Sequence, residues 1–396
     1  MNKKILGAFF IALALIIVLV VAYKNSQKRE QTLVYSVNYM LSALWANYKK
    51  VYIESSSGRT LDPERGNITT SEGESYTMLR AVWEDDKTTF DTSWQWTETN
   101  LKRPNDNLFA WLYGQNSDKS YGILTSQGGE NTASDADGDI ALALVLASSR
   151  WQDPTYLAQA KKIISDIWAN EVVVIKGVPY LTADNLEKTS GSTALLDPSY
   201  LSPASYKIFA QLDPADNWTG VVNSSYQVLA ASSQLPADGK QGVNLPPDWV
   251  AIDKTTGQLE FLQNANLDSN YGFDALRVPF RLALDYQWNQ DPRDKTLLQS
   301  FGFLSSQWEN NKMLNGTYGH DGSVVMQAES PAMYGGSLGY FLIVNPSEAK
   351  EIYDNKLLDL YSPDIQGWKQ QLGYYYSNWA WFGIALYNNQ LINYYH

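Results

Sequence analysis

The stretch Ala133-Ser134-Asp135-Ala136-Asp137-Gly138-Asp139-Ile140-Ala141 continues without a break into Leu142-Ala143-Leu144-Val145-Leu146-Ala147-Ser148-Ser149-Arg150-Trp151. It sets three carboxylates at the mouth of an apolar helix. Acidic residues are favoured there by the helix dipole, by up to about 1 kcal/mol each, so capping alone would account for some of them. A second acidic cluster lies upstream, Ser71-Glu72-Gly73-Glu74-Ser75-Tyr76. Ser71 followed three residues later by Glu74 has the form of a capping box, which would leave Glu72 free for chemistry.

Outward from these clusters the patterning is helical. Leu33, Val37, Leu41, Leu44, Tyr48 and Val51 fall three or four apart and form one apolar stripe. Tyr156, Leu157, Ala160, Ile163, Ile164, Ile167 and Trp168 repeat it, opened by Asp153-Pro154 as cap and first-turn proline. Further helices are predicted over 77–83, 140–149, 205–211, 224–232, 274–288, 295–307, 347–360 and 374–386. Val172–Ile175 reads as one strand of a small hairpin closed near Lys176-Gly177. Residues 101–129, 182–196 and 236–262 read as long polar connections. No Pro/Gly/Ser linker divides the body. Residues 32–396 are expected to form a single all-α domain, a large toroid with a minor β-hairpin.

Composition narrows the chemistry. The 396 residues include no Cys and two His, His320 and His396. This excludes disulfides, thiol catalysis and Cys-ligated zinc, and nearly excludes a Ser–His–Asp triad. A net charge of −12 argues against a nucleic-acid partner, and less decisively against a strongly acidic polymer. The 14 Trp and 26 Tyr are mostly core material, yet flat aromatic faces also stack on sugar rings. Aromatics beside two acidic clusters suggest glycosidic-bond chemistry, in which one carboxyl protonates the leaving oxygen and a second activates water or attacks the sugar.

The motifs are more specific. Residues 133–151 resemble the signature of glycoside hydrolase family 8. Residues 71–96, SEGESYTMLRAVWEDDKTTFDTSWQW, resemble its general-acid segment. Residues 195–209, LLDPSYLSPASYKIF, are similar to its "NPSY" segment, with Asp197 where Asn is usual. Residues 271–284, YGFDALRVPFRLAL, resemble the segment bearing the base in one large branch, with Phe273 where Tyr is frequent. The resemblance implies an (α/α)6 barrel and an inverting endo-β-glycosidase that needs no cofactor and no metal. It assigns Glu72 as general acid and Asp274 as general base, with Asp135 and Asp137 binding sugar and Trp96, Tyr200, Arg277 and Arg281 as further substrate-site candidates. For Asp274 the plain alternative is an N-cap.

Rival motifs fail. Asp135-x-Asp137-x-Asp139 starts like an EF-hand loop, but Ile140 stands at position six and Leu146 at position twelve. Gly335-Gly336-Ser337-Leu338-Gly339 matches a nucleophile elbow in form, yet only the terminal His396 follows it.

Within the family the chain is most similar to membrane-anchored hydrolases of Gram-positive biofilm exopolysaccharide. That likeness implies a β-1,4-linked N-acetylmannosamine polymer as substrate. A β-1,4-glucanase, lichenase, xylanase or chitosanase is the alternative within the family, and an inactive polysaccharide-binding surface scaffold the alternative outside it. The expected partners are a polysaccharide and the membrane, and a monomer is expected. Lys3 and Lys4 precede an uncharged apolar run, residues 5–22. As a helix it would extend about 27 Å, near the hydrocarbon thickness of a bilayer. It is longer than a signal-peptide core and lacks a convincing cleavage site, so residues 1–31 read as a signal anchor holding an extracellular catalytic domain at the cell membrane. Cell fractionation should find the protein in the membrane with its N-terminus intact. A soluble product beginning near Tyr23 would refute the anchor.

Overall fold

The computed structural model describes residues 19, 23, 24, 37–237, 239–261 and 267–395. The expected membrane helix lies outside these residues, except for Leu19. No helix among the described residues is long and apolar enough to cross a membrane.

Thirteen α-helices among the described residues carry the fold. The first, α1, covers 37–52. It is followed by α2 (Ser71–Trp83), α3 (Lys87–Asn100), α4 (Ser134–Trp151), α5 (Pro154–Glu171), α6 (Pro203–Leu212) and α7 (Trp218–Gln234). Next come α8 (Arg277–Asn289), α9 (Pro292–Ser300), α10 (Phe303–Asn311), α11 (Pro331–Val344), α12 (Pro346–Ile352) and α13 (Tyr374–Tyr387).

They alternate between an inner and an outer ring. Around the inner ring α2, α4, α6, α8, α11 and α13 pack in sequence. Tyr76 of α2 closes the circle edge-on against Trp379 and Phe382 of α13, with ring centres 5.8 and 5.3 Å apart. Outside, α3 packs on α2, α5 on α4, α7 on α6, α9 on α8 and α12 on α11. This is the toroid of helical hairpins expected from the sequence.

Burial explains which helices the sequence revealed. The outer helix α5 buries Tyr156, Ala160, Ile163, Ile164 and Ile167 on one stripe, and Asp153 caps it by accepting from Thr155 N–H at 3.0 Å. Two helices have no such stripe and were not expected. In α3 the buried positions are Phe90, Ser93, Trp96 and Thr97, half of them hydroxyl residues. Helix α11 is apolar on nearly every side because neighbours surround it. Expected helix 295–307 is broken at Phe301-Gly302 into α9 and α10. Expected helix 274–288 begins only at Arg277, after a run of turns.

The long connections also hold more strand than expected. Besides the hairpin of β4 (Val172–Ile175) and β5 (Val178–Leu181), three-stranded sheets form from β1 (Thr69–Thr70), β2 (Leu112–Gln115) and β3 (Tyr121–Ile123), and from β6 (Thr193–Leu196), β7 (Val250–Asp253) and β8 (Leu259–Glu260). The predicted hairpin turn is confirmed: Ile175 pairs with Val178, and Lys176 and Gly177 both have positive φ, 50° and 84°.

The glycines of the elbow-like motif are packing residues. A β-carbon on Gly335 would strike the Trp379 carbonyl of α13, one on Gly336 the Leu276 carbonyl, and one on Gly339 the Pro279 carbonyl of α8. Helix α11 is thus a thin wedge that lets α8 and α13 approach by backbone contact. Ser337 is buried and bonded to Tyr271 Oη at 2.7 Å, so it is no nucleophile. Gly335→Ala and Gly339→Ala should each destabilise the fold by at least about 1–3 kcal/mol, the usual cost of overpacking, since rigid backbone stands in the way. Chemical denaturation measures this.

Candidate active site

Arg277, the first residue of α8, is fully buried at the centre of the ring. Its guanidinium meets four carboxyls. Nη1 donates to Glu72 Oε2 at 2.8 Å and to Asp135 Oδ2 at 3.1 Å. Nη2 donates to Asp274 Oδ1 at 2.7 Å and to Asp197 Oδ2 at 3.4 Å. Tyr200 lies over the guanidinium, its ring centre 5.3 Å away.

The acids arrive from different elements. Glu72 is the second residue of α2, which is capped by Thr70, whose Oγ1 accepts from Gly73 N–H at 3.0 Å. The start of α2 is also pinned by Ser71 N–H donating to Trp111 O at 3.1 Å. Gly73 is needed because a β-carbon would sit 2.6 Å from Tyr374 Oη. The expected capping box is not formed. Glu74 instead turns into the protein, accepting from Thr60 N–H at 2.7 Å and Ser93 Oγ at 2.6 Å, and ties α2 to α3. Tyr76, one turn after Glu72 on the same helix face, reaches Arg277 Nη1 at 3.4 Å.

The three aspartates of 135–139 have three fates. Asp135 and Asp139 are one turn apart on α4, as Arg277 and Arg281 are on α8. They form two rungs from α4 to α8, past the intervening α6: Asp135 with Arg277, and Asp139 with Arg281 at 2.9 and 3.0 Å. Asp137 points the other way. It accepts from Phe109 N–H at 3.0 Å and meets Glu171 at the end of α5. The structure therefore does not bring Asp137 to the cluster. Nor does it bring Arg281, which is spent on Asp139 and on Ser199 O at 2.7 Å. Trp96 is also elsewhere, packed edge-on to Tyr113 at 5.1 Å and lining a groove between α1 and α3. Glu72, Asp274, Asp135, Arg277 and Tyr200 do converge.

Three features were not singled out from sequence. Asp197 joins the cluster, with its other oxygen capping Ser199 N–H at 2.7 Å. Tyr76 was detectable by its spacing from Glu72. An aromatic wall flanks Asp274: Phe273 stacks on Tyr376 at 6.3 Å and lies edge-on to Tyr375 at 5.9 Å.

One guanidinium cannot balance four anions, so protons are retained. Burial, then the charges of Asp135 and Asp274, push Glu72 up to about 7 against the pull of Arg277. Burial also raises Asp135 and Asp274, with Arg277 opposing both, and holds Asp197 well above the usual carboxylate range. Access separates the four. The side chains of Glu72 and Asp274 are 25% and 34% exposed, whereas those of Asp135 and Asp197 are 2% and 0% exposed. The two acids that open on the cleft are bound to opposite nitrogens of one guanidinium.

The description "Glycosyl hydrolases family 8" matches residues 22–360 of the chain. A "Probable endoglucanase" of Novacetimonas hansenii is 31% identical over 238 residues, which is 59% of this chain and 64% of that protein's length. Among solved structures, the endo-1,4-D-glucanase of Vibrio fischeri ES114 is 28% identical with a TM-score of 0.71, covering 87% of this chain and 94% of that one. A β-1,3-1,4-glucanase of Paenibacillus sp. X4 shares the fold with a TM-score of 0.74 at 21% identity, covering 90% and 93%.

Behind the site, Asp137 and Glu171 form a buried carboxyl pair, each with an oxygen that has no other hydrogen-bond partner among the described residues. Burial pushes Glu171 up to about 8. The pair is favourable while it holds a proton, so its contribution is present below the ordinary carboxylate pKa and is lost as pH rises towards about 8. Melting temperature measured from pH 5 to 9 should therefore fall less steeply in Glu171→Gln than in the parent.

Proposed function

The chain belongs to glycosyl hydrolases family 8, and from that premise we propose that it is an inverting endo-β-glycosidase acting on a β-1,4-linked polysaccharide. The observation that carries this reading is the placement of the two accessible acids, Glu72 and Asp274, on either side of the Arg277 guanidinium. Glu72, raised to about 7, keeps a proton at neutral pH and delivers it to the leaving glycosidic oxygen. Asp274, held ionised by its contact with Arg277, takes a proton from a water that attacks the opposite face of the sugar. An inverting pair leaves room for that water, with the carboxyls about 6.5–9.5 Å apart. Asp135 lies beneath them as an acceptor for a sugar hydroxyl, and Tyr200 and the wall of Phe273, Tyr375 and Tyr376 offer aromatic faces.

For the substrate, the names of the relatives support a β-1,4-glucan. The apolar run at 5–22 and the charge of −12 support a different member of the same class, a neutral or N-acetylated exopolysaccharide leaving the same cell, such as poly-N-acetylmannosamine. In that second reading the domain works outside the membrane to which residues 1–31 tether it.

Release of reducing ends from a panel containing cellulose derivatives, lichenan, xylan, chitosan and the host's own exopolysaccharide separates these readings. Cleavage of the native exopolysaccharide well above the glucans supports the second, and brisk cleavage of glucans alone the first. On whichever polymer is cleaved, Glu72→Gln should lower kcat by about 10²–10⁴-fold with the fold intact. The parent should lose activity as pH rises through about 7, when Glu72 gives up its proton. Near-normal turnover by Glu72→Gln would overturn the assignment.

A further inference from the structure

We propose that Asp248 is the positioning residue of the base, fixing the turn from which Asp274 projects. This rests on the reading of Asp274 as general base.

The argument begins with how little holds Asp274. Among the described residues its carboxyl accepts a hydrogen bond from Arg277 alone, and its side chain is 34% exposed. Its direction is therefore set mainly by its backbone. That backbone belongs to the irregular turn before α8, in which Leu276 N–H returns to Gly272 O at 3.2 Å and Arg277 N–H to Asp274 O at 3.0 Å. The N–H groups at the start of such a turn have no partners within the helix.

Asp248 supplies the partner. Its Oδ1 accepts from Gly272 N–H at 3.2 Å, Asp274 N–H at 3.0 Å and Ala275 N–H at 2.6 Å. Three N–H groups converging on one oxygen form the concavity that usually cradles an anion. Here a buried side chain from a distant loop fills it, and the base's own N–H is one of the three. Gly272 completes the fit, because a β-carbon there would strike Asp248 Oδ2.

The loop that delivers Asp248 is itself fixed. Pro246 and Pro247 restrict the approach. Asp248 N–H donates to Asn270 O at 2.7 Å, and Trp249 N–H to Asp268 O at 3.1 Å. Trp249 then packs edge-on against Tyr200, 6.1 Å between centres, and Tyr200 lies over Arg277. Two adjacent residues thus brace both members of the Asp274–Arg277 pair. An ordinary cap is made within its own helix. Asp248 lies 26 residues before Asp274, so the clamp joins the loop to the base and to little else.

A displaced base slows the chemical step without changing how the polymer binds, and a misplacement of about 1 Å can cost about 100-fold. The test compares Asp248→Ala, Asp248→Asn, Gly272→Ala and Asp274→Asn in steady-state kinetics, with thermal melting as the control for folding. In Asp248→Ala we expect kcat to fall at least about tenfold while KM stays within about twofold. Asp248→Asn keeps an oxygen acceptor at the clamp, and kcat should return to within about threefold of the parent. Gly272→Ala, which attacks the clamp from the other side, should show the kcat loss of Asp248→Ala and serves in its place if that variant does not fold. Parent-like kcat in folded Asp248→Ala or Gly272→Ala overturns the proposal. So does a loss confined to KM, or an Asp248→Asn variant as slow as Asp248→Ala. Asp274→Asn separates the two readings. If it is inactive the base assignment stands whatever Asp248 does, and if it turns over normally both readings fall.

Discussion

A single buried guanidinium, that of Arg277, must satisfy four carboxyls brought from four parts of the chain. An isolated carboxylate in such a place would take up a proton, and an isolated arginine would be too costly to bury. Together they make a site in which the number of protons is constrained but their positions are not. Accessibility then divides the labour. Glu72 and Asp274 are open to solvent, whereas Asp135 and Asp197 lie underneath and contribute to the local potential. The same arginine opposes, by direct contact, the rise that burial imposes on both Asp274 and Glu72. Glu72 and Asp274 are thus tuned as one unit.

The helices were legible wherever one face met water. The stripe of α5 and the cap at Asp153 translate directly from sequence, as does the turn at Lys176-Gly177. Legibility failed where burial was complete or where hydroxyls took core positions. In α11, solvent reaches too little of the helix to impose a polar face. In α3, Ser93 and Thr97 occupy positions that a hydropathy pattern reads as surface, and Ser93 is buried because it bonds Glu74. In the small sheets β1–β3 and β6–β8 a distant strand, β1 or β6, joins a local hairpin, and no local pattern records that long-range pairing.

Much the same holds for the site. The motifs that resemble family 8 singled out Glu72, Asp274, Asp135 and Arg277, and the i, i+3 step from Asp274 to Arg277 was visible. What could not be read was convergence: Arg277 meets residues 205 and 142 positions away. The errors have one geometric source. A helix turns about 100° per residue, so Asp137 faces away from the side shared by Asp135 and Asp139. One turn of rise also separates Arg281 from Arg277, enough to give the first Asp139 as its partner and the second the accessible Glu72 and Asp274. Trp96 was an aromatic of the right kind on a helix of the outer ring, where its ring faces α1 and β2 rather than the centre.

The glycine seam of α11 has a bearing on the carboxyl cluster. The proposed acid and base stand at the start of α2 and in the turn that leads into α8, and one of the two paths between them around the ring runs through α11 and α13. Gly335, Gly336 and Gly339 hold that path at its narrowest by letting backbones touch. The seating of the turn that carries Asp274 therefore depends in part on residues far from the carboxyl cluster, since Gly336 packs directly on the Leu276 carbonyl. In this architecture the width of a helix–helix seam helps to set where a turn of the candidate site sits.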